Sequence, residues 1–180
     1  FYYENGYEMI RLDDYINGIV KASYGKSPIV LTFDDGNEDN IKVTGLDDKG
    51  NIINMTFPDE SFEYYDKRHL FSLAGEDKEF SAGKNRLIVE YKGWNICPLI
   101  CYDLRFPVFS RNTEEYDLLI YIANWPKSRR NAWNALLTAR AIENMSYTIG
   151  MNRIGTDEND NSYSGDSQII DCMGNHTLEP

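Results

Sequence analysis

The residue best suited to chemistry in this sequence is Cys101, which closes an apolar run and precedes a polar turn. The run is Ile96–Ile100, and the turn that follows Cys101 has the sequence Tyr-Asp-Leu-Arg-Phe-Pro (102–107). Sites in α/β proteins collect at the carboxyl ends of strands, where the chain enters a loop or helix. A thiol there becomes a nucleophile when backbone N–H groups or a nearby cation favour its thiolate. From these features alone Cys101 is either a small core residue, as free cysteines usually are, or a nucleophile.

Three cations are candidates to activate this thiol: Lys67, Arg68 and Arg105. A positive charge beside a thiol stabilises the charged form and lowers its pKa. His69 lies two positions beyond Lys67 and is interpreted as a hydrogen-bonded structural histidine, with a Cys–His dyad as the alternative. Cys97 and Cys172 are not followed by a polar turn like that after Cys101, so they are predicted to be core residues.

The elements that must position these residues are predicted from apolar patterns. Short apolar runs bounded by turn residues predict strands, and apolar residues that recur at helical spacing predict a helix. The predicted strands are 29–33, 87–90, 96–100, 118–123, 148–152 and 168–171, and the predicted helix is 129–144. Residues 37–54 are polar and acidic and are predicted to be a loop or seam. Strands that alternate with a long helix predict an α/β fold.

Four motifs follow in order along the second part of the chain and together resemble the nitrilase superfamily, in particular its ω-amidase-like branch. They are Tyr65–Phe71 (YDKRHLF), Cys101–Pro107 (CYDLRFP), Ala123–Pro126 (ANWP) and Arg140–Asn144 (RAIEN). The resemblance implies an α/β fold of the nitrilase-like αββα type, which we expect to be incomplete at both ends of this chain. It also implies a cofactor-independent hydrolase of small carboxamides, such as the ω-amide of a keto acid.

The resemblance implies a role for particular residues. Cys101 matches the family's nucleophile, and Lys67 matches the lysine that stabilises the oxyanion together with the backbone N–H after Cys101. Glu76 is the best match for an accessory glutamate that orients this pair, with Glu79 as the alternative. The residues expected to bind the substrate are Tyr102 and Trp125, with core packing as the alternative for Trp125.

The family's general base is a glutamate well before the lysine, in a Pro-Glu context. The glutamates before Glu60 are Glu4, Glu8 and Glu38, and none has this setting. We therefore expect strong alkylation of Cys101 but weak turnover, because Lys67 favours a thiolate while the hydrolytic water lacks a proton acceptor. The remaining charges of the turn, Asp103 and Arg105, are interpreted as an ion pair.

Residues 1–50 carry a second resemblance, to the start of a NodB-type polysaccharide deacetylase. It rests on residues 6–15 (GYEMIRLDDY) and 29–36 (IVLTFDDG). In that family Asp34 would be the base and Asp35 a metal ligand, but the His-x-x-x-His that completes the metal site does not occur in this sequence. We expect no metal site. The chain is predicted to divide into a deacetylase-like fragment, 1–50, and a nitrilase-like catalytic segment, 51–180. The leading functional prediction is an active amidase. The alternatives are a catalytically impaired chimera and a metal-dependent deacetylase.

Composition and net charge limit the classes of partner that the protein is expected to bind. The net charge of −11 over 180 residues disfavours nucleic acid and anionic membranes. No apolar run approaches the ~18 residues of a membrane span, and the acidic start predicts no signal peptide. Three cysteines without disulfide or zinc spacing indicate reduced thiols in the cytoplasm. We expect a small-molecule amide as substrate and, as the family implies, a homo-oligomer.

Overall fold

The computed structural model describes residues 52–57 and 61–177, together with the backbone of short strands at 7–8, 27–28, 31–32 and 42–45. The strands are β1 (Tyr7–Glu8), β2 (Ser27–Pro28), β3 (Leu31–Thr32), β4 (Lys42–Gly45), β5 (Ile52–Thr56), β6 (Phe62–Asp66), β7 (Val89–Tyr91), β8 (Trp94–Ile100), β9 (Leu118–Ala123), β10 (Tyr147–Asn152), β11 (Ile154–Thr156), β12 (Ser162–Ser164) and β13 (Gln168–Ile170). The α-helices are α1 (Glu76–Glu79), α2 (Pro107–Ser110) and α3 (Arg130–Asn144). Short 3₁₀ helices cover Ser72–Ala74, Cys101–Arg105 and Lys127–Arg129.

A five-stranded sheet of order β13–β10–β9–β8–β7 forms the centre of the described part. Its three middle strands are parallel, and β7 and β13 join antiparallel at the edges. All six residues of β9 are buried, as expected for a continuous apolar run between two parallel neighbours. Ile100 pairs with Ile122, and Ala123 pairs with Asn152, so the carboxyl ends of β8, β9 and β10 lie at one edge of the sheet.

Helix α3 packs closely on this sheet. Trp133, Leu137 and Ala141 are fully buried and recur every four residues, which places them on one face of the helix. Gly150 of β10 lies under that face, and a Cβ added there would be 2.3 Å from Leu137 Cδ1. The absence of a side chain at Gly150 is therefore what lets helix and sheet approach.

A second, four-stranded antiparallel sheet has the order β3–β4–β5–β6. Its strand β5 contacts β8 of the first sheet, and Met55 and Tyr65 are buried in the same hydrophobic core. The prediction of a loop at 37–54 is therefore wrong for β4 and most of β5. The sequence alternates polar and apolar residues there, as in Ile53-Asn54-Met55-Thr56, and this pattern is typical of a strand with one buried face.

The predicted elements between 87 and 171 are found with small shifts, whereas of the strand predicted at 29–33 the structure describes only Leu31–Thr32. The helix begins one residue later than predicted, after a 3₁₀ turn, and the strand predicted at 87–90 begins at Val89. Cys97 is a core residue as predicted, but Cys172 is only half-buried, in the turn after β13. Asp34 and Asp35 lie outside the described residues. Within the described ranges, no helix is both long and apolar enough to span a bilayer.

Candidate active site

Cys101 lies at the carboxyl end of β8, where the strand passes into a 3₁₀ turn. Its φ of 43° is in the left-handed region, which costs an L-residue roughly 1–2 kcal/mol. Its Sγ lies 4.0 Å from the carbonyl oxygen of Asn124, which follows the end of β9. A strained cysteine beside the ends of neighbouring strands matches the expected position of a nucleophile.

The thiol of Cys101 is not activated by a lone cation. Burial raises its pKa above the ordinary value; the charge of Lys67 lowers it, and that of Glu76 raises it again. Lys67 thus acts on Cys101 as predicted in direction, but its ammonium is paired with a carboxylate. The reacting form of a cysteine is the thiolate, so these charges act on the form that attacks.

Lys67 and Glu76 form a buried ion pair. Lys67 directly follows β6 and is 1% exposed, and its Nζ lies 2.6 Å from Glu76 Oε2. The same oxygen accepts a hydrogen bond of 2.7 Å from the backbone N–H of Phe71. A buried ammonium requires such a partner. Glu76, rather than the exposed Glu79, is thus the glutamate that the structure brings to the lysine.

Asp103 ties the turn that carries Cys101 to the turn that carries Lys67. It is fully buried, and its Oδ2 accepts hydrogen bonds from Tyr65 Oη at 2.8 Å and from the N–H of Ile100 at 3.0 Å. Its Oδ1 accepts the backbone N–H of His69 at 2.9 Å and lies 2.8 Å from His69 Nδ1. Four contacts to one carboxylate fix the two turns relative to each other.

The predicted Asp103–Arg105 ion pair is wrong. Asp103 points into the protein towards Tyr65 and His69, whereas Arg105 is exposed and lies over the ring of Trp125, 5.0 Å from its centroid. Two charges separated by one residue in a tight turn point in different directions. The partner of the buried carboxylate therefore comes from another element.

His69 has the structural role that its sequence context suggested. Its Nδ1 contacts Asp103, and its ring stacks on Phe106 with centroids 3.7 Å apart. Phe109 meets the ring edge-on at 5.2 Å. These contacts fix the imidazole between two aromatic rings and a carboxylate, which is the environment of a positioning residue.

Tyr102 and Trp125 differ in their surroundings. The half-buried Tyr102 ring lies 4.9 Å from Phe71 and 5.2 Å from Phe106. Trp125 is 3% exposed, packs against Trp133 at 5.6 Å, and donates from Nε1 to the carbonyl oxygen of Arg129 at 2.8 Å. Both lie on turns at the edge of the sheet that carries Cys101, and their contact with a substrate stays a prediction.

Two further residues support these turns: Arg140, the first residue of the Arg140–Asn144 motif, and Asn152, which the sequence did not indicate. Arg140 donates from Nη2 to the carbonyl oxygen of Leu104 at 2.6 Å, so helix α3 holds the turn after Cys101. Asn152 accepts the N–H of Trp125 at 2.7 Å and donates to its carbonyl oxygen at 2.9 Å. Arg140 is a buried cation on the same helix as Trp133 and Leu137, and a charged residue among buried apolar positions is a signal for a buried polar contact.

Gly83 fits tightly against the segment that carries Lys67. Its N–H donates to Lys67 O at 2.9 Å, and a Cβ there would lie 2.2 Å from Asp66 O. We expect Gly83→Ala to lower the free energy of unfolding by about 1–3 kcal/mol. Displacement of Lys67 should also lower kcat/KM for the reaction at Cys101 by up to about 100-fold.

Thermal unfolding and steady-state kinetics measure the two effects. The matched control is Ser81→Ala, which changes an exposed residue of the same segment. Unfolding and kinetics of Gly83→Ala equal to those of the Ser81→Ala control would contradict the tight approach.

Comparison with known proteins gives three concordant results. The carbon-nitrogen hydrolase family matches residues 42–180. An omega-amidase YafV of Yersinia enterocolitica is 55% identical over 117 residues, 65% of this chain and 46% of that protein. A 2-oxoglutaramate amidase of Bacillus subtilis is 41% identical over 112 residues, 61% of this chain and 43% of that protein. The chain thus spans about half the length of these curated relatives.

A solved structure gives the same result for the fold. The protein XC1258 of Xanthomonas campestris, described as a CN-hydrolase superfamily protein with an arsenic adduct in the active site, superimposes with a TM-score of 0.71. It is 40% identical, and the match covers 86% of this chain and 57% of that one. The predicted nitrilase-like α/β fold is confirmed.

Proposed function

Because the chain belongs to the carbon-nitrogen hydrolase family, we propose that it is an amidase that hydrolyses the ω-amide of a keto acid through a cysteine thioester. One observation carries the proposal: a left-handed cysteine at a strand end lies within the field of a buried Lys67–Glu76 pair. Cys101 is then the nucleophile, Lys67 the electrophilic cation and Glu76 the residue that holds Lys67. Tyr102 and Trp125 border the amide.

The reaction has two halves. The sulfur of Cys101 bonds to the amide carbon, and the carbonyl oxygen becomes an oxyanion beside Lys67. The amide nitrogen then takes up a proton, the C–N bond breaks and ammonia leaves. Water next attacks the thioester carbon, the C–S bond breaks, and the carboxylic acid leaves as the thiol reforms. Glu76 holds Lys67 beside the oxyanion, and the N–H of Phe71 in turn fixes the carboxylate of Glu76.

The thiol proton and the hydrolytic water each need a base. Among the described residues, the two carboxylates whose charges act on Cys101 are already engaged. Glu76 accepts from Lys67 and Phe71, and Asp103 accepts from Tyr65, Ile100 and His69. The family resemblance implies that the base is a further glutamate before Lys67, while these two carboxylates hold neighbouring donors. If this chain does not supply it, the thioester forms and breaks slowly.

Trapping of the acyl-enzyme tests the proposal. With 2-oxoglutaramate as substrate we expect release of ammonia, and added hydroxylamine should divert the acyl group to a hydroxamate. Acid quenching followed by peptide mass spectrometry should place the acyl mass on the peptide that contains Cys101. Ammonia release with no acyl mass on Cys101 in any quenched sample would contradict a thioester route.

We retain the finer sequence predictions as proposals. The deacetylase-like segment 1–50 rests on its sequence alone, and β4, at 42–45, lies within both this segment and the family match. Three free thiols support a cytoplasmic location. Exposed Ile142, Met145 and Met173 near the end of α3 support a homo-oligomer. The proposed ligand is a small amide, with neither nucleic acid nor membrane as partner.

A further inference from the structure

The carbonyl oxygen of Leu104 lies in the 3₁₀ turn that follows Cys101, and its donor comes from another element. In a 3₁₀ helix each carbonyl oxygen accepts from the N–H three residues later. Three residues after Leu104 stands Pro107, which has no N–H, so the regular partner is missing. Arg140 Nη2 of helix α3 donates to this oxygen instead, at 2.6 Å. A side chain 36 residues away in the sequence thus completes the turn.

Two adjacent residues tie the turn after Cys101 to two different elements. The carboxylate of Asp103 accepts from Tyr65 of β6, in the four-stranded sheet. The carbonyl oxygen of Leu104 accepts from helix α3, which packs on the five-stranded sheet. Only Tyr102 stands between Cys101 and these two anchors. The direction of the Tyr102 backbone N–H therefore depends on both of them.

The N–H of Tyr102 matters because the family resemblance makes the backbone N–H after Cys101 an oxyanion donor beside Lys67. Such a donor stabilises the oxyanion only if it points to the position where the negative charge develops. Removal of one oxyanion donor typically lowers kcat by about 10²–10³-fold. A backbone N–H cannot be removed by substitution, but its direction changes when an anchor of the turn is lost.

The burial of Arg140 is hard to explain by stability alone. Arg140 is 3% exposed, and its Nη1 lies 2.8 Å from Glu143 Oε1. Its Nε is buried, and no acceptor within residues 52–57 and 61–177 lies at hydrogen-bond distance from it. A buried cation with an unpaired donor is costly, and a well-packed apolar side chain would avoid that cost. The hydrogen bond to Leu104 is the contact that connects Arg140 to the site.

A second arginine joins the same segment to the same helix, but farther from the sulfur. Arg111 follows α2, and its Nη1 donates to the carbonyl oxygen of Glu143 at 2.8 Å. Arg111 is exposed, so water competes for its hydrogen bond and the contact constrains the chain weakly. The chain thus offers a matched control for Arg140.

We propose that Arg140 is a positioning residue for the oxyanion: through the carbonyl oxygen of Leu104 it directs the N–H of Tyr102 towards the oxygen of the tetrahedral intermediate. This inference rests on the proposed amidase function. Arg140 acts through the turn and does not touch the substrate. A reaction of Cys101 that places negative charge on an oxygen should therefore depend on Arg140, whereas a reaction that places none should not.

The test compares two reagents that react with the same thiol. With p-nitrophenyl acetate, the sulfur bonds to the carbonyl carbon, an oxyanion forms, the C–O bond breaks and p-nitrophenolate leaves. With iodoacetamide, the sulfur bonds to the methylene carbon and iodide leaves, so no oxyanion forms. Mass spectrometry of quenched samples gives the acylation and alkylation rates of the peptide that contains Cys101. The ratio of the two rates is independent of the fraction of thiolate.

Arg140→Met should lower the ratio of acylation to alkylation at Cys101 by about 10- to 100-fold, because the oxyanion donor is displaced rather than removed. With 2-oxoglutaramate the loss should appear in kcat, with KM within about threefold of the unmodified value. Arg140→Lys should recover part of the ratio, since it keeps a charged donor. The control Arg111→Met should change the ratio by less than about threefold.

The outcomes separate this proposal from the proposed function. An unchanged ratio in Arg140→Met, or an equal loss in Arg111→Met, overturns the role of Arg140. A loss of acylation and alkylation by the same factor assigns Arg140 to the thiol or the fold and also overturns it. If the unmodified chain releases no ammonia from 2-oxoglutaramate, the amidase proposal fails. The ratio still tests Arg140 then, because p-nitrophenolate leaves without a proton.

Two further measurements complete the test. In the unmodified chain the ratio at Cys101 should exceed the ratio at Cys172, which is also a half-buried free thiol. Equal ratios at the two cysteines would show that Cys101 has no oxyanion site, and the role of Arg140 would fall with it. Should Arg140→Met not fold, Arg140→Lys is compared with Arg111→Lys, and equal ratios in these two variants overturn the proposal.

Discussion

Replacement of Cys101 by alanine should lower amide hydrolysis by a factor of at least about 10⁴ and leave the fold in place. The large loss is expected because no other group can form the thioester. The stability should change by less than about 1 kcal/mol, since the half-buried side chain is small and alanine keeps the same left-handed φ. Ammonia release and thermal unfolding measure the two quantities.

The chain offers a matched control for this variant. Cys172 is also a half-buried free thiol, and it lies in the turn after β13. Cys172→Ala should hydrolyse the amide at close to the unmodified rate. A Cys101→Ala protein that retains more than about a tenth of the activity, with Cys172→Ala as the reference, would rule out Cys101 as nucleophile.

Loss of the Glu76 carboxylate is expected to affect both stability and rate. Glu76→Gln leaves the Lys67 ammonium, which is 1% exposed, without its counter-charge. Removal of one partner of a buried pair typically lowers the free energy of unfolding by about 3–5 kcal/mol. Lys67 should also lose its fixed position, and kcat should fall by about 100-fold or more. Denaturant unfolding and single-turnover kinetics are the measurements.

Two further variants interpret the Glu76 result. Glu79→Gln removes a charge from an exposed position of the same short helix and should change stability by less than about 1 kcal/mol. In the double variant Lys67→Met/Glu76→Gln neither charge of the pair remains, so stability should return while activity does not. A double variant as unstable as Glu76→Gln alone would show that the carboxylate acts through something other than Lys67.

The parts of the fold that could be predicted are those that are buried on all sides, because their sequence is a continuous run of apolar residues. Leu118–Ala123 was predicted with its observed bounds, because a strand buried on both faces is apolar at every position. Strand β5 was missed, because a segment in which polar and apolar residues alternate resembles a loop in composition. Strand β5 pairs with β6 through backbone hydrogen bonds, and these cannot be predicted from composition.

The candidate site was only partly accessible from the sequence. The residues alone made Cys101 and Lys67 candidates among alternatives, and the roles of Cys101, Lys67 and Glu76 came from the family resemblance. Nothing in the spacing of Tyr65 and Asp103, 38 residues apart, indicates their hydrogen bond. The sequence instead predicts an ion pair between Asp103 and Arg105, because a single sequence shows only which charges are close along the chain.

The carboxylate of Asp103 joins turns that come from two different sheets, since β6 belongs to the four-stranded sheet and β8 to the five-stranded one. The reactive geometry therefore exists only after both sheets have docked. A compact folding intermediate with native strands but loose packing would contain a reduced thiol and a lysine, yet no assembled site. The appearance of activity during refolding should thus coincide with the last cooperative step, and not with collapse.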